Sequence, residues 1–490
     1  MNETPTARSW DRLLSTPTWY ALAITATVLS GNRWGIPGLA WLAPIPWLVL
    51  AARTKGWRSW LGLASAVLVA QTLVTLKIVT APLSPLLAPM FSIPAAIGVL
   101  LLLIVYRALR RRGGALASLY GLVAVNVLLE QISLAHGEMG AWGVSATALV
   151  DDLPLMQLTA LGGLPLVGLL MTWVASLTAT LLLSDDRRPL VPHVLPLVGV
   201  LVAAYGWGAW RLDAALDDDA PTVRVGAVTT TMGLGEGNAL PDAAALQENV
   251  DHLFARSERA ADLDAQVIVW NEAATVVEPE DEAALLDLGR AFARRRGVDL
   301  VLAYGVLVST EPLMLRNEYA WLGSDGTLLE QYAKHHPVPG EPSVRGEAPL
   351  DALHRPWGVG VGAICYDYDF PTMSLAHGRL GAGLAVVPSS DWRGIDPYHT
   401  AMSRIRGIEG GYAVFRSVRW ASSAGYDAYG RTRGFTTATD PDDVLVVSMP
   451  VGHVDTLYTR VGYVPLRGLA LLVLLGVGVA VARGYRERSA

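Results

Sequence analysis

The sequence predicts an α/β layered domain carried within a chain of membrane-spanning helices, and three observations lead there. First, 490 residues with 52% hydrophobic content, 17% charge and a mean hydropathy of +0.36 are too apolar for a soluble enzyme and too polar in places for a pure membrane bundle. Second, the two kinds of sequence are segregated: residues 18–210 are a succession of apolar runs, residues 221–455 have ordinary charge density, and residues 461–482 are apolar again. Third, strand-like and helix-like runs alternate through the polar block.

Seven apolar spans precede the polar block, near 18–31, 36–52, 59–80, 86–106, 115–134, 158–183 and 191–211, and an eighth follows near 462–482. A helix of roughly 20 residues crosses a hydrocarbon core of ~30 Å, which several of these reach; the first two are short enough to be tilted or partly re-entrant. The first span starts too far from the N-terminus, and lacks a small-residue cleavage site, to be a removed signal peptide.

Loop arginines predict the orientation. One alternate set of loops carries Arg8, Arg12, Arg53, Lys55, Arg58, Arg107, Arg110, Arg111, Arg112, Arg187, Arg188, Arg483, Arg486 and Arg488, while the opposite set has Arg33 and almost nothing else. Under the positive-inside rule both termini are cytoplasmic, and after seven spans the polar block faces outward. The division expected is 1–213 (seven spans), 214–458 (outward domain) and 459–490 (last helix and cytoplasmic tail).

The outward block follows the acidic linker 217–221, DDDAP. Strand-like runs at 223–228, 267–270, 300–308, 359–364, 384–387, 413–418 and 444–447 alternate with helix-like runs at 242–261, 280–296 and 397–407. Such layering places reactive residues on loops at strand ends. Gly233, Gly235 and Gly237 open no helix, and Gly358, Gly360 and Gly362 lie inside a strand-like run. The first set reads as a mobile loop and the second as strand packing, not as nucleotide sites.

Three residues in this block stand out. Cys365, the chain's single cysteine, lies in VGVGAICYDYDFP where an apolar run stops and a turn begins. A lone cysteine has no internal disulfide partner; it is commonly a small buried hydrophobe, but this position also suits an exposed nucleophile. The chain has three lysines, Lys55, Lys77 and Lys334, among 38 basic residues, and Lys334 alone lies in the outward block. A compact ammonium retained where arginine is otherwise preferred suggests a pocket that a planar guanidinium does not fit, unless one lysine simply survived. Glu272, in VIVWNEAATVVEP, sits two residues past a strand-like run, where a carboxylate is either a general base or merely solvated.

Glu272, Lys334 and Cys365 come in chain order at spacings of 62 and 31 residues. In order and context they resemble the nitrilase superfamily, whose α-β-β-α sandwich carries a Glu-Lys-Cys triad. With eight spans, and the domain inserted between the seventh and eighth, nearly the whole chain resembles the membrane-embedded branch, the bacterial apolipoprotein N-acyltransferases. QYAKHHPVPGEP is similar to the lysine segment of that family, ICYDYDFP to its cysteine segment, DWRGIDPYHTAMSRIRGIEGG to its downstream helix and TLYTRVGYVP to its return into the membrane. The chain departs from the pattern at Asn271 (usually proline), Pro339 (phenylalanine), Asp367 (glutamate) and Ser390 (asparagine), which bears on pocket shape and acceptor more than on reaction type.

The resemblance implies acyl transfer from a membrane phospholipid, through a cysteine thioester, to the α-amine of diacylglyceryl-cysteine on an apolipoprotein. Glu272 would be the base, Cys365 the nucleophile, and Lys334 with the Tyr366 N–H the stabilisers of thiolate and oxyanion. Glu341 and Asp367 would orient the lysine or the incoming amine, unless they are ordinary loop carboxylates. A membrane-tethered amidase-like hydrolase and a non-catalytic receptor on the same fold are the alternatives. No cofactor or metal is implied, since His335 and His336 are adjacent and no other His/Cys cluster has ligand spacing. A serine triad of Ser389, Ser390, Asp391 and His399 lacks a nucleophile-elbow pattern. A net charge of −6 without a basic patch in the outward block argues against nucleic acid.

Overall fold

The computed structural model describes residues 14–214, 221–234, 239–436 and 444–489. The linker residues 217–220, Gly235, Gly237, Arg8 and Arg12 lie outside the described residues. The chain divides into two compact units: Met1–Ser133, Trp142–Arg211 and Val461–Ala490 form one, and Leu134–Ala141 with Leu212–Arg460 form the other.

Apolar helices build the first unit. Among the described residues five are long and apolar enough to cross a membrane: Gly56–Leu76, Pro85–His136, Leu164–Leu183, Arg188–Ala214 and Val464–Arg483. The second of these runs for 52 residues, far beyond one crossing. It is broken at Gly114, whose φ of 78° and ψ of −160° are not helical, two residues after the arginines 110–112. The first two apolar runs form helices of 15 residues, Thr16–Ser30, and 10 residues, Pro44–Arg53. Polar side chains tie helices where lipid offers no partner: Trp47 Nε1 donates to Thr27 Oγ1 at 2.8 Å, Asn126 Nδ2 to Thr172 Oγ1 at 2.9 Å, and Arg467 Nε to Gln131 Oε1 at 3.1 Å.

In the second unit the strands are β1 (Thr222–Val228), β2 (Val267–Trp270), β3 (Val276–Val277), β4 (Asp299–Thr310), β5 (Leu313–Leu322), β6 (Leu328–Ala333), β7 (Ser343–Val344), β8 (Leu353–Arg355), β9 (Gly358–Gly362), β10 (Leu384–Ser390), β11 (Ala413–Arg419), β12 (Ser423–Tyr426), β13 (Thr432–Thr436) and β14 (Leu445–Pro450). An eight-stranded sheet has the order β14-β1-β2-β4-β5-β6, with β3 on β4 and β7 on β5; a six-stranded sheet has the order β13-β12-β11-β10-β9-β8. β1, β2 and β4 are parallel, as are β9, β10 and β11, and the outer strands are antiparallel. The parallel strands are mostly apolar because both faces are largely covered; all four residues of β2, VIVW, are buried.

The two sheets face each other through β1 on β11 and β2 on β10. Helices Ala243–Asp262 and Glu282–Arg296 cover the first sheet, and Tyr398–Gly410, itself packed on Pro371–Arg379, covers the second. The fold is therefore a nitrilase-like α/β sandwich of mixed sheets. Apolar periodicity locates the central strands and three of these helices. It misses the long hairpin partner β5, LMLRNEYAWL, whose polar residues interrupt the run, and the helix Pro371–Arg379, which has too few apolar residues to announce itself.

Glycine permits the close approach at β9. A Cβ on Gly360 would stand 2.9 Å from the Trp321 ring, and one on Gly362 only 2.2 Å from Tyr319 Oη. These glycines serve strand packing. Gly233 likewise lies against Trp420, where a Cβ would meet the indole at 2.5 Å.

Candidate active site

The candidate side chains follow the ends of the parallel strands β2 and β9 and of the antiparallel edge strand β6, where each hands over to a loop. Glu272 follows β2 by two residues, and its N–H reaches across to Ser389 O at 3.3 Å. Lys334 follows β6 directly and is anchored by its N–H on Asn317 O at 2.9 Å. Cys365 opens the 3₁₀ turn Cys365–Asp369 just past β9. The backbone is strained at two of these points, with φ of 43° at Ala273 and 44° at Cys365, a region that residues with a Cβ rarely occupy. A left-handed residue at a strand end turns the chain sharply and sets the sulfur at the apex.

Lys334 is held between two carboxylates. Its Nζ lies 2.7 Å from Glu272 Oε1 and 2.6 Å from Glu341 Oε2, with side-chain exposures of 2%, 5% and 19% for Lys334, Glu272 and Glu341. Asn317 Nδ2 bridges the same carboxylates, donating to Glu272 Oε1 at 2.8 Å and Glu341 Oε1 at 3.0 Å. Burial alone would lower the Lys334 pKa, but the charges of Glu272 and Glu341 outweigh it and hold the ammonium well above its usual range.

The cysteine is buried and meets a different set of groups. Burial, and then the negative charges of Glu272 and Asp391, push the Cys365 thiol well up, while Arg416 and Lys334 pull it down. At rest these surroundings favour the protonated thiol.

Asp367 takes a different place from the one expected. Its Oδ1 accepts from the His336 N–H at 2.7 Å and lies 3.0 Å from His336 Nδ1; its Oδ2 accepts from Ile364 N–H at 3.0 Å and Tyr332 Oη at 2.9 Å. Burial works to raise this carboxyl, yet the His336 hydrogen bond and charge leave it lowered. Asp367 thus clamps the cysteine turn to the lysine segment, and it is Glu341 that bonds the ammonium. His336 also stacks on Phe370 at 3.9 Å between centroids, and His335 packs against Tyr332 at 4.9 Å, so the two histidines diverge. Tyr366 Oη donates to Glu138 O at 2.8 Å, while its N–H follows the sulfur in the turn.

Two departures from the family pattern acquire a physical account. Asn271 accepts from Thr230 N–H at 2.9 Å and donates to Glu272 O at 2.9 Å, bracing the glutamate loop in place of a rigid proline. Ser390 Oγ accepts from Arg419 Nε at 3.0 Å and Nη2 at 2.8 Å. No contact explains Pro339.

A second buried cluster, invisible to residue spacing, lies on the other side of the sulfur. The donor atoms of Cys365, Asp391 and His399 come within 4.8 Å of one another, a grouping with the donors a metal would use. No ligand spacing in the sequence announces it, because a turn, a loop and a helix assemble it: Cys365 opens the turn after β9, Asp391 follows β10 and His399 lies in Tyr398–Gly410. Arg416 Nη2, however, is 3.5 Å from Cys365 Sγ, 3.0 Å from Asp391 Oδ1 and 3.0 Å from His399 Nδ1. A guanidinium already serves the shared donors, so they fit a protein cation better than an ion. His399 lies 2.9 Å from Asp391 Oδ1 and 2.7 Å from Asp369 Oδ2. Burial and Arg416 would lower it, but the two carboxylates hold it up at about 9. Asp391 is held down at about 2, against burial, by Arg416 and His399. Ser389 and Ser390 are engaged by Arg416 and Arg419, and the contacts of His399 described above go to carboxylates and Arg416, so a serine triad does not assemble.

The carbon–nitrogen hydrolase family matches residues 225–459. Residues 225–459 are a carbon–nitrogen hydrolase domain. Over a longer stretch the chain is similar to the apolipoprotein N-acyltransferase of Bradyrhizobium diazoefficiens, 27% identical over 418 residues, covering 75% of this chain and 74% of that one. It is also similar to the apolipoprotein N-acyltransferase of Gloeobacter violaceus, 28% identical over 394 residues, covering 71% and 70%. Among solved structures, a cysteine-to-alanine mutant of an amidase of the nitrilase superfamily from Nesterenkonia AN1 is 21% identical with a TM-score of 0.42, covering 51% of this chain and 98% of that one. Both acyltransferase matches exceed the 235 residues of the hydrolase domain and so take in apolar sequence as well.

Within the hydrolase domain, sequence reasoning singled out Glu272, Lys334, Cys365 and Glu341, which the structure brings into one neighbourhood, and passed over Asn317 and Arg416, which bond to them. Asn317 carries no signal in an ordinary strand. Arg416 does carry one, since a charge in the middle of the apolar run AVFRSV needs a buried partner.

Proposed function

We propose that this protein transfers an acyl chain from a membrane phospholipid, through a thioester on Cys365, to the N-terminal α-amine of diacylglyceryl-cysteine on apolipoproteins. The observation that carries the reading is the buried Glu272–Lys334 pair, joined by the partly exposed Glu341, beside a left-handed Cys365, in a chain that resembles acyltransferases of that name over about three-quarters of its length.

Glu272 takes the thiol proton as the sulfur attacks the ester carbonyl, and the electron pair displaced from the carbonyl settles on oxygen as an oxyanion. The Lys334 ammonium and the Tyr366 N–H stabilise that charge. Collapse expels the lysophospholipid oxygen, which receives the proton from Glu272, and leaves the thioester. The acceptor amine then attacks the thioester, Glu272 accepts its proton, and the sulfur leaves and is reprotonated. Glu341 and Asn317 keep Lys334 aimed, and no cofactor enters the scheme.

The membrane arrangement belongs to the same proposal: eight spans, Gly114 separating the fourth from the fifth, the hydrolase domain inserted between the seventh and eighth. The loop arginines support cytoplasmic termini and a domain on the outer side of the bacterial cytoplasmic membrane. The deciding experiment is mass spectrometry of Cys365 after incubation with phospholipid. An acyl-sized mass on Cys365, removed by a diacylglyceryl peptide, is expected. Release of free fatty acid without transfer would favour a hydrolase, and an unmodified cysteine would refute both.

A further inference from the structure

Cys365 is reached from two sides by cations on different elements. Lys334 comes from the end of β6 with its two carboxylates. Arg416 comes from within β11 and is almost entirely buried, at 1% exposure. Its Nε donates to Ser389 Oγ at 2.8 Å, its Nη1 to Asp391 Oδ2 at 3.0 Å and Thr400 Oγ1 at 3.1 Å, and its Nη2 to Asp391 Oδ1 at 3.0 Å. These contacts fix the plane of the guanidinium, and in that plane Nη2 meets Cys365 Sγ at 3.5 Å. A fork anchored on one carboxylate and aimed at a third atom is the use to which arginine, not lysine, is suited.

We propose that Arg416 is a second catalytic cation of this site, donating an Nη2–H to the Cys365 sulfur and holding the thiolate as it forms and again as it leaves the thioester. The proposal rests on Cys365 as the nucleophile. The charges agree with it. Arg416 and His399, both positive, are balanced by Asp391 and Asp369 within the cluster, so the guanidinium is present without imposing a standing net charge. Asp391, 3.7 Å from the sulfur, opposes the thiolate, and Arg416 neutralises it while offering its own hydrogen. Losing Arg416 therefore removes a donor and exposes the sulfur to an uncompensated carboxylate.

The test separates contact with sulfur from support of the fold. Arg416→Lys keeps a cation for Asp391, but its ammonium stops short of the sulfur. Ser389→Ala changes no charge and removes the acceptor that orients Nε, together with the Ser389 Oγ hydrogen bond to Val387 O at 3.0 Å. Each is assayed as the full-length protein in detergent for melting temperature, for the rate of Cys365 alkylation by iodoacetamide, and for acyl-enzyme formation. A charge-assisted hydrogen bond to the attacking atom supports a fall of roughly 10- to 100-fold in both rates for Arg416→Lys, and a fall of about 3- to 10-fold for Ser389→Ala, with KM for phospholipid unchanged. Should Arg416→Lys not fold, Ser389→Ala carries the test alone. Alkylation at the parent rate in either folded variant overturns the proposal. Acyl transfer surviving in Cys365→Ala would instead refute the nucleophile, a result that alkylation of the Arg416 and Ser389 variants does not touch.

Discussion

Replacing Lys334 by arginine tests the site most severely, because it retains the charge and changes only the shape. The ammonium sits 2.7 Å from Glu272 and 2.6 Å from Glu341 with 2% of the side chain exposed. A longer, planar guanidinium cannot take the same point between them without displacing a carboxylate or leaving N–H groups unmatched. The folded state should survive, since charge balance with the two glutamates persists. The oxyanion should not be stabilised as before, and a lost stabilising group of this kind costs about 3–4 kcal/mol, or roughly 10²–10³ in rate. Lys334→Met should differ in kind: it leaves two carboxylates buried around Asn317 with no cation, which costs roughly 3–5 kcal/mol of stability, toward the lower end because Glu341 is partly exposed. Acyl-enzyme formation with labelled phospholipid reads the first effect and thermal unfolding the second. An arginine variant that acylates at close to the parent rate would refute the assignment of Lys334 to the oxyanion.

Other outcomes follow from the same geometry. Cys365→Ser should lose on the order of 10³-fold or more in acyl transfer while melting near the parent, because an alkoxide is far harder to form than a thiolate; near-normal turnover would remove Cys365 as nucleophile. His399 is held up at about 9, against about 6.5 in an unfolded chain, so its contribution to stability is full below pH 6.5 and disappears as pH rises through 9. The melting temperature should therefore fall across that window in the parent, and fall less steeply in His399→Gln; parallel curves would contradict the charged imidazole. Gly362→Ala sets a Cβ 2.2 Å from Tyr319 Oη and should destabilise by about 1–3 kcal/mol in denaturant titrations, with no loss if β9 can shift freely. Reporter fusions after Gly114 and Arg188 should read as cytoplasmic and after Ala220 as outside; a domain reporting from the cytoplasm would end the proposed orientation.

What was legible in the sequence was whatever is local. Apolar runs mark β1, β2, β9, β10 and β11 because parallel strands are buried on both faces, and a single cysteine and a rare lysine call attention to themselves by composition. What was not legible depends on the assembly of distant loops. Asp367 sits three residues from Ile364 and reads as a neighbour of the catalytic groups, yet its bonds go to His336 and Tyr332, which the fold alone brings there. Asn317 looks like any polar residue in an antiparallel strand until the register of β5 with β6 sets Glu318 opposite Ala333, one residue before Lys334. Asp391 and His399 entered the sequence reading only within a serine triad set aside for want of a nucleophile elbow, and the position of Arg416 shows what they bond.

The resting state of the sulfur explains why the site needs so many charges. A thiol buried among Glu272 and Asp391 is disfavoured as a thiolate, so under the proposed mechanism no standing nucleophile precedes the substrate. The cost is that attack must generate the charge it uses. In the proposed mechanism Glu272 receives the proton without migrating, since Asn317 and Lys334 already align its carboxylate, and the negative charge then moves from carboxylate to carbonyl oxygen past the same ammonium. With Lys334 fixed between Glu272 and Glu341 and Arg416 fixed on Asp391, little of the site has to reorganise as that charge moves, and preorganisation of this sort is where most of the rate advantage of an enzyme site resides. It follows that changes loosening the supports, Asn317 or Ser389, should lower the rate of thioester formation more than they lower affinity for the lipid.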